Sequence, residues 1–141
     1  MKAFFDTSFL VAVFWGDHSG HDQALGVFRD ASPVSCFCAS HSLAELYSVM
    51  TRLPVRPPIH PEQAILFLKS LKERISPISL TGQEYQSTIE QAAESGVTGG
   101  RIYDALILRC ARKTGADRIY TLNAKDFARL APDLADRLSG L

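Results

Sequence analysis

Apolar residues fall along this chain in runs of two kinds, and the two kinds alternate. Short runs rich in aromatic, β-branched and sulfur-bearing residues, KAFFD, VSCFC, ISPISL and RIYTL, read as buried strands. Between them lie longer stretches whose apolar positions recur at helical spacing. A strand is expected over about residues 2–6, with a helix starting at Thr7 or Ser8. Residues 16–20 form a break, and a second helix follows over about residues 21–30. After the VSCFC strand, Ser40 or Ser42 caps a third helix that runs to about Leu53. Pro54, Pro57, Pro58 and Pro61 mark a loop and the start of a helix over about residues 62–74. ISPISL is the weaker third strand, because Pro77 confines it to a sheet edge. Thr81 opens a helix to about Ser95, and Gly96, Gly99 and Gly100 form a turn. A long apolar helix over about residues 101–113 closes at Gly115. RIYTL is the last clear strand, with a short helix or turn over about residues 126–130.

Strands alternating with helices argue for a parallel sheet covered on both faces. The expected fold is a three-layer α/β/α sandwich around about four to five strands. In such sheets ligands bind beyond the carboxyl ends of the strands, where strand order reverses. Asp6 closes the first strand, and Asn123 and Asp126 follow the last.

Four acids interrupt or closely follow apolar runs: Asp6, Glu45, Asp104 and Asp126. On the long helix, Asp104 falls at the edge of the apolar arc of Ile102, Tyr103, Leu106, Ile107, Cys110 and Ala111. Glu45 falls at the edge of the Leu43, Leu46, Tyr47, Val49, Met50 and Leu53 face. Taken singly, each edge acid is better read as a solvated acid or as the partner of Arg52 or Arg101, and only the four positions together favour a shared site. Carboxylates beside a core are costly without a partner, and a hard divalent cation is one such partner. If the four converge, the site is that of a metal-dependent phosphodiesterase acting on nucleic acid. Asp6, Glu45 and Asp104 then lie within roughly 10 Å of one another.

Composition changes this picture little. The 141 residues suit one nuclease-sized domain spanning 1–141, and 46% hydrophobic with 21% charged residues is ordinary for a soluble globular chain. Fifteen basic residues balance fifteen acidic ones, so global charge argues neither for nor against a nucleic-acid partner. Cys36, Cys38 and Cys110 form no CxxC and read as buried free thiols of a reducing cytoplasm. The apolar run at residues 9–15 is too short to span a bilayer and lacks the flanks of a signal peptide, so no membrane association is expected. His18 and His21 have too few companions for a transition-metal site, and Gly99-Gly100 is no phosphate-binding fingerprint. A phosphoryl-aspartate enzyme would place a second acid where Ser8 stands. Arg101, Arg109 and Arg112 share a helix face that is either solvated or a phosphate track. Of the cations, only Arg101 and Lys125 stand near the acids, as candidates for substrate binding.

Four segments, FFDTSFLV, SLAELYSVMTRL, GGRIYDALILRCARKTGA and IYTLNAKDF, resemble the signature segments of PIN-domain ribonucleases. The similarity is greatest to the small VapC-type toxins of toxin–antitoxin pairs. The resemblance implies that Asp6, Glu45 and Asp104 are the core catalytic acids. The fourth acidic position varies in this family. Asn123 occupies one of its places as a neutral oxygen, and Asp126 occupies the other as an acid. Thr121 and Ser8 match supporting hydroxyl positions, with helix capping as the other role for Ser8. Mg²⁺ or Mn²⁺ would be held directly by Asp6 and Asp104, with Glu45 and Asp126 acting partly through water. Such a cation acidifies a water and neutralises charge on the scissile phosphate.

The expected function is therefore a Mg²⁺- or Mn²⁺-dependent endoribonuclease, the toxin of a type II pair, with RNA as substrate and a cognate antitoxin as partner. A PIN-type RNA-processing nuclease without an antitoxin, and an inactive binding module, are the alternatives. The family resemblance also implies a homodimer, and Val11, Phe14 and Trp15 are apolar helix positions with no obvious core role.

Overall fold

The computed structural model describes residues 1–141. Five strands make one sheet: β1 (Ala3–Phe5), β2 (Cys36–Ala39), β3 (Ser76–Ile78), β4 (Arg118–Tyr120) and β5 (Leu138–Ser139). Their order is β3-β2-β1-β4-β5, and every neighbouring pair is parallel. The chain starts at the centre, moves outward to β3, then crosses to β4 on the other side of β1. Strand order therefore reverses between β1 and β4, the place where open sheets of this kind bind ligands.

Side-chain alternation divides β1 between two cores. Phe4 and Phe5 are 0% and 1% exposed, yet they face opposite ways. Phe5 packs with α1 (Thr7–Phe14), α2 (His21–Arg29), α3 (Ser40–Met50) and α4 (Pro61–Leu71), through residues such as Phe9, Leu10, Phe28, Leu46 and Leu71. Phe4 packs with Ile107, Leu108, Ile119 and Phe127 under α6 (Arg101–Thr114) and α7 (Ala124–Leu130). A fifth helix in chain order, α5 (Gly82–Glu94), lies against α6. Truncating either phenylalanine to alanine costs about 3–5 kcal/mol, because the cavity is walled by both a helix layer and the sheet.

The local signals explain most boundaries. Thr81 and Glu84 form a reciprocal capping box at α5, with Thr81 N–H donating to Glu84 Oε1 at 2.8 Å and Glu84 N–H to Thr81 Oγ1 at 3.1 Å. Gly115 ends α6 at φ +68°, a conformation that a β-carbon would strain. Pro77 sits in β3, which is an edge strand. Cys36, Cys38 and Cys110 are buried free thiols. Burial, with Cys110 adding to it, pushes the Cys38 thiol up to about 12.

Three expectations are corrected. Neither Ser40 nor Ser42 caps α3: Ala39 is the capping residue, and both serines lie inside the helix. Their hydroxyls instead reach sideways, Ser40 to Ser79 at 2.7 Å and Ser42 to Thr7 at 2.7 Å. Val11 and Phe14 do have a core role, since both pack against the α1–α4 cluster and Phe14 meets the Phe67 ring edge-on at 4.8 Å. The last clear strand is not the last strand: a 3-10 turn at Pro132–Arg137 leads into β5, which pairs Leu138 with Ile119. No helix is long and apolar enough to cross a membrane.

Candidate metal centre at the carboxyl edge of the sheet

Asp6 stands where β1 hands the chain to α1. Its N–H donates to Tyr120 C=O at 2.9 Å, and its own C=O accepts from Phe9 and Leu10 N–H, both at 3.1 Å. The backbone is thus clamped between β4 and the first turn of α1. The side chain is 5% exposed and makes no helix-capping bond. A carboxylate so buried needs donors. Ser8 Oγ donates to Asp6 Oδ2 at 2.7 Å, and Thr121 Oγ1 donates to the same oxygen at 2.8 Å.

Those two hydroxyls are themselves fixed. Ser8 Oγ accepts from Leu122 N–H and Thr121 Oγ1 accepts from Asn123 N–H, each at 3.0 Å. Two relays, each of backbone amide, hydroxyl and carboxylate, therefore tie the loop after β4 to Asp6. Both end on Oδ2, so Oδ1 has no protein donor and is free for another ligand.

Glu45 lies on α3, and its side chain is 40% exposed. Thr7 Oγ1, beside Asp6, donates to Glu45 Oε1 at 2.9 Å and shares its proton with Ser42 Oγ at 2.7 Å. His41 Nε2 stands 3.8 Å from the same Glu45 oxygen, one helical turn away.

Asp104 lies in the first turn of α6, partly buried, and no hydrogen bond or ion pair reaches its carboxylate. Burial raises its pKa first. The carboxylates of Asp6, Asp126 and Glu45 then raise it further, and Arg101 alone works the other way. The other three acids thus all act on Asp104 at one rim of the molecule. Asp126 is exposed in the first turn of α7, with Arg129 Nη1 3.8 Å from its Oδ1.

The remaining expected residues are placed as follows. Asn123 is exposed and joins the network only through its backbone N–H. Arg101 is exposed beside Asp104, and Lys125 is exposed on α7; neither forms an ion pair. Arg109 and Arg112 are turned away, to Glu84 at 3.5 Å and to Asp133 at 2.7 Å. Thr7, Ser42, His41 and Tyr103 also border the acids. Thr7 directly follows Asp6, and that adjacency was its only sign in the sequence.

Chemically, the donor set is all oxygen, which suits Mg²⁺ or Mn²⁺ better than zinc. No three acidic, histidine or cysteine side chains are drawn close enough to enclose an ion unaided. A small hard cation does not require that. It keeps several waters and takes one or two carboxylates directly. Asp6 Oδ1 and the Asp104 carboxylate have no protein partner and can ligate, with Glu45 and Asp126 around them.

Comparison with known proteins agrees with the fold. The PIN domain family matches residues 3–132. The chain is 34% identical over 111 residues to the protein named Ribonuclease VapC40 of Mycobacterium tuberculosis, covering 79% of each. Its fold is similar to that of Mycobacterium tuberculosis VapC20, a Sarcin-Ricin loop cleaving toxin, with a TM-score of 0.72 at 20% identity over 92% of this chain and 95% of the other. It is also similar to a chain of VapBC2 from Rickettsia felis, solved bound to a DNA fragment from its promoter, with a TM-score of 0.67 at 19% identity over 100% and 99%.

Proposed function

This chain belongs to the PIN-domain family, and from that premise we propose that it is a Mg²⁺- or Mn²⁺-dependent endoribonuclease, the toxin of a toxin–antitoxin pair. The observation that carries the reading is the position of Asp104: half-buried, without a partner, and facing the charge of Asp6, Glu45 and Asp126. Like charges gathered around a partly buried carboxylate repel one another, and an outside cation relieves that repulsion. When bound, the cation supplies acidification of the attacking water and charge neutralisation at the phosphate.

The protein's own residues do the rest. Ser8 and Thr121 hold Asp6 so that Oδ1 is presented in one orientation. Thr7 does the same for Glu45. Asp104 and Asp126 extend the negative rim, and Arg101 and Lys125, both exposed and without an ion pair, are available to RNA phosphates. No serine, threonine or cysteine on this rim is hydrogen-bonded to a histidine, the usual base of a nucleophilic pair. The same rim accounts for inhibition by an antitoxin: an Arg or Lys side chain entering the acids would satisfy the charge that the cation otherwise satisfies.

The test is cleavage of RNA by purified protein with Mg²⁺, with Mn²⁺ and with excess chelator, alongside sequencing of cellular RNA ends after brief induction. Cleavage is expected to stop with chelator and in Asp6→Asn. Full activity in chelator would overturn the metal mechanism. Co-expression of the adjacent upstream gene product tests the toxin reading. If it neither binds nor protects, that reading fails and the nuclease reading stands.

A further inference from the structure

Beside the acids lie two exposed rings. His41 and Tyr103 stack with planes 5° apart and centroids 6.0 Å apart, joining α3 to α6 across the rim. Tyr103 is 54% exposed, the largest exposure of any tyrosine in the chain. Each ring is tied by sequence to an acid: Tyr103 immediately precedes Asp104, and His41 lies one turn before Glu45, 3.8 Å from its carboxylate. Behind His41 the surface continues as a small, mostly apolar cleft of about 50 Å³, lined by Ile78, Leu80, Tyr85 and Leu106. The Ser40 and Ser79 hydroxyls, 2.7 Å apart, stand at its edge.

We propose that the His41–Tyr103 pair is a positioning platform on which an unpaired nucleobase of the RNA stacks, next to the phosphate held at Asp6 and Asp104. The proposal rests on the nuclease reading above. A phosphate at those acids leaves its adjoining base one sugar away, within reach of the ring pair, whose His41 lies 3.8 Å from the Glu45 carboxylate and stacks on Tyr103. An aromatic face on an exposed rim can receive only a base that has left its own helix. Recognition of this kind belongs to single-stranded loops and ends, where base–aromatic stacking contributes to affinity with little sequence preference. Tyr103 acts on binding and register, and the chemistry stays with the acids.

The experiment uses a short single-stranded RNA that the wild-type protein cleaves, and copies with one abasic nucleotide at each position flanking the cut. Tyr103→Leu is expected to raise KM about tenfold with kcat changed by less than about threefold, the size of one lost stacking contact. Tyr103→Phe, which keeps the ring, is expected to match wild type. One abasic position is expected to impose the same KM loss on the wild type and no further loss on Tyr103→Leu. The platform is overturned if Tyr103→Leu leaves KM unchanged, if it lowers kcat alone, or if its loss persists undiminished on every abasic copy. In those cases wild-type cleavage still stands, and with it the nuclease reading. A wild-type protein that cleaves no RNA overturns both.

Discussion

The two ends of α6 handle charge in opposite ways. At the C-terminal end every cation near an acid has found it. Lys113 Nζ donates to Glu84 Oε1 at 2.7 Å, Arg109 lies 3.5 Å from Glu84 Oε2, and Arg112 grips Asp133 with two bonds of 2.7 and 2.8 Å. The Lys113 hydrogen bond, foremost, pulls the Glu84 carboxyl down to about 2, and Arg112 lowers Asp133 in the same way. At the N-terminal end Asp104 has no partner, and burial and three other acids push it up. The helix dipole favours both arrangements equally, an acid in the first turn and bases in the last. The difference lies in the side chains around them. One end uses its charges to fasten α5 and the 3-10 turn to α6. The other leaves carboxylates facing one another, which folding alone does not reward.

The sharpest way to break this comparison is to change one residue at each end and measure RNA cleavage. Asp104→Asn and Asp6→Asn should each lose about 100-fold or more in kcat/KM, since a ligand or its charge leaves a site that stabilises phosphoryl charge. Arg112→Ala, at the paired end, should change kcat/KM by less than about threefold. Comparable losses at both ends would show that the distinction has no functional meaning.

A second change probes what replaces cations at the acidic end. Thr121→Val removes one of the two hydroxyl donors to the buried Asp6. It should cost about 1–3 kcal/mol in urea unfolding, because the carboxylate remains buried with fewer donors. A variant as stable as wild type would mean that the relay does not hold Asp6.

Smaller effects should carry opposite signs in chelator. The folded-state pKa of Asp104 is raised. Its favourable contribution is therefore full below its ordinary value of 3.8 and is lost as pH rises through the folded value. At neutral pH the ionised group is a burden, so Asp104→Asn should raise the unfolding midpoint, and this gain should fade on acidification. Glu84 is lowered to about 2, so its contribution is full above 4.5 and is lost as pH falls through about 2. Glu84→Gln should lower the midpoint at neutral pH, and this deficit should shrink only in strong acid. The smallest effect is expected for Arg112 with Asp133. Their coupling in a double-mutant cycle should be slight and weaken further with salt, because Asp133 is largely exposed and Arg112 more than a third exposed.

Much of the scaffold was legible because its signals are local. Thr81 with Glu84, Pro77 and Gly115 each dictate backbone behaviour within a few residues, and each sits where its chemistry required. What failed was non-local. Ser40 and Ser42 look like helix caps, but Ser79 and Thr7, brought in from other elements, take their hydroxyls. Phe14 lacks an obvious partner until α4 delivers Phe67. β5 is only Leu138–Ser139, too short for any period to register. The acids fall between these cases. Helix-wheel geometry puts Glu45 and Asp104 at the edges of apolar faces, but strand order decides whether those edges meet. The four-segment resemblance implied only that the acids belong together, and the order itself came with the structure. Thr7 went unnoticed as a site residue because a threonine at a helix start has an ordinary local use.

Binding of Mn²⁺, followed by its electron paramagnetic resonance signal during titration of the metal-free protein at neutral pH, tests most directly whether the acids around Asp104 are completed by a cation. Wild-type protein should take up Mn²⁺, Asp104→Asn and Asp6→Asn should bind it about tenfold or more weakly, and Glu84→Gln should bind as wild type does. Equal binding by wild type and Asp104→Asn, or no binding by wild type, would contradict the assignment of this rim as a metal centre.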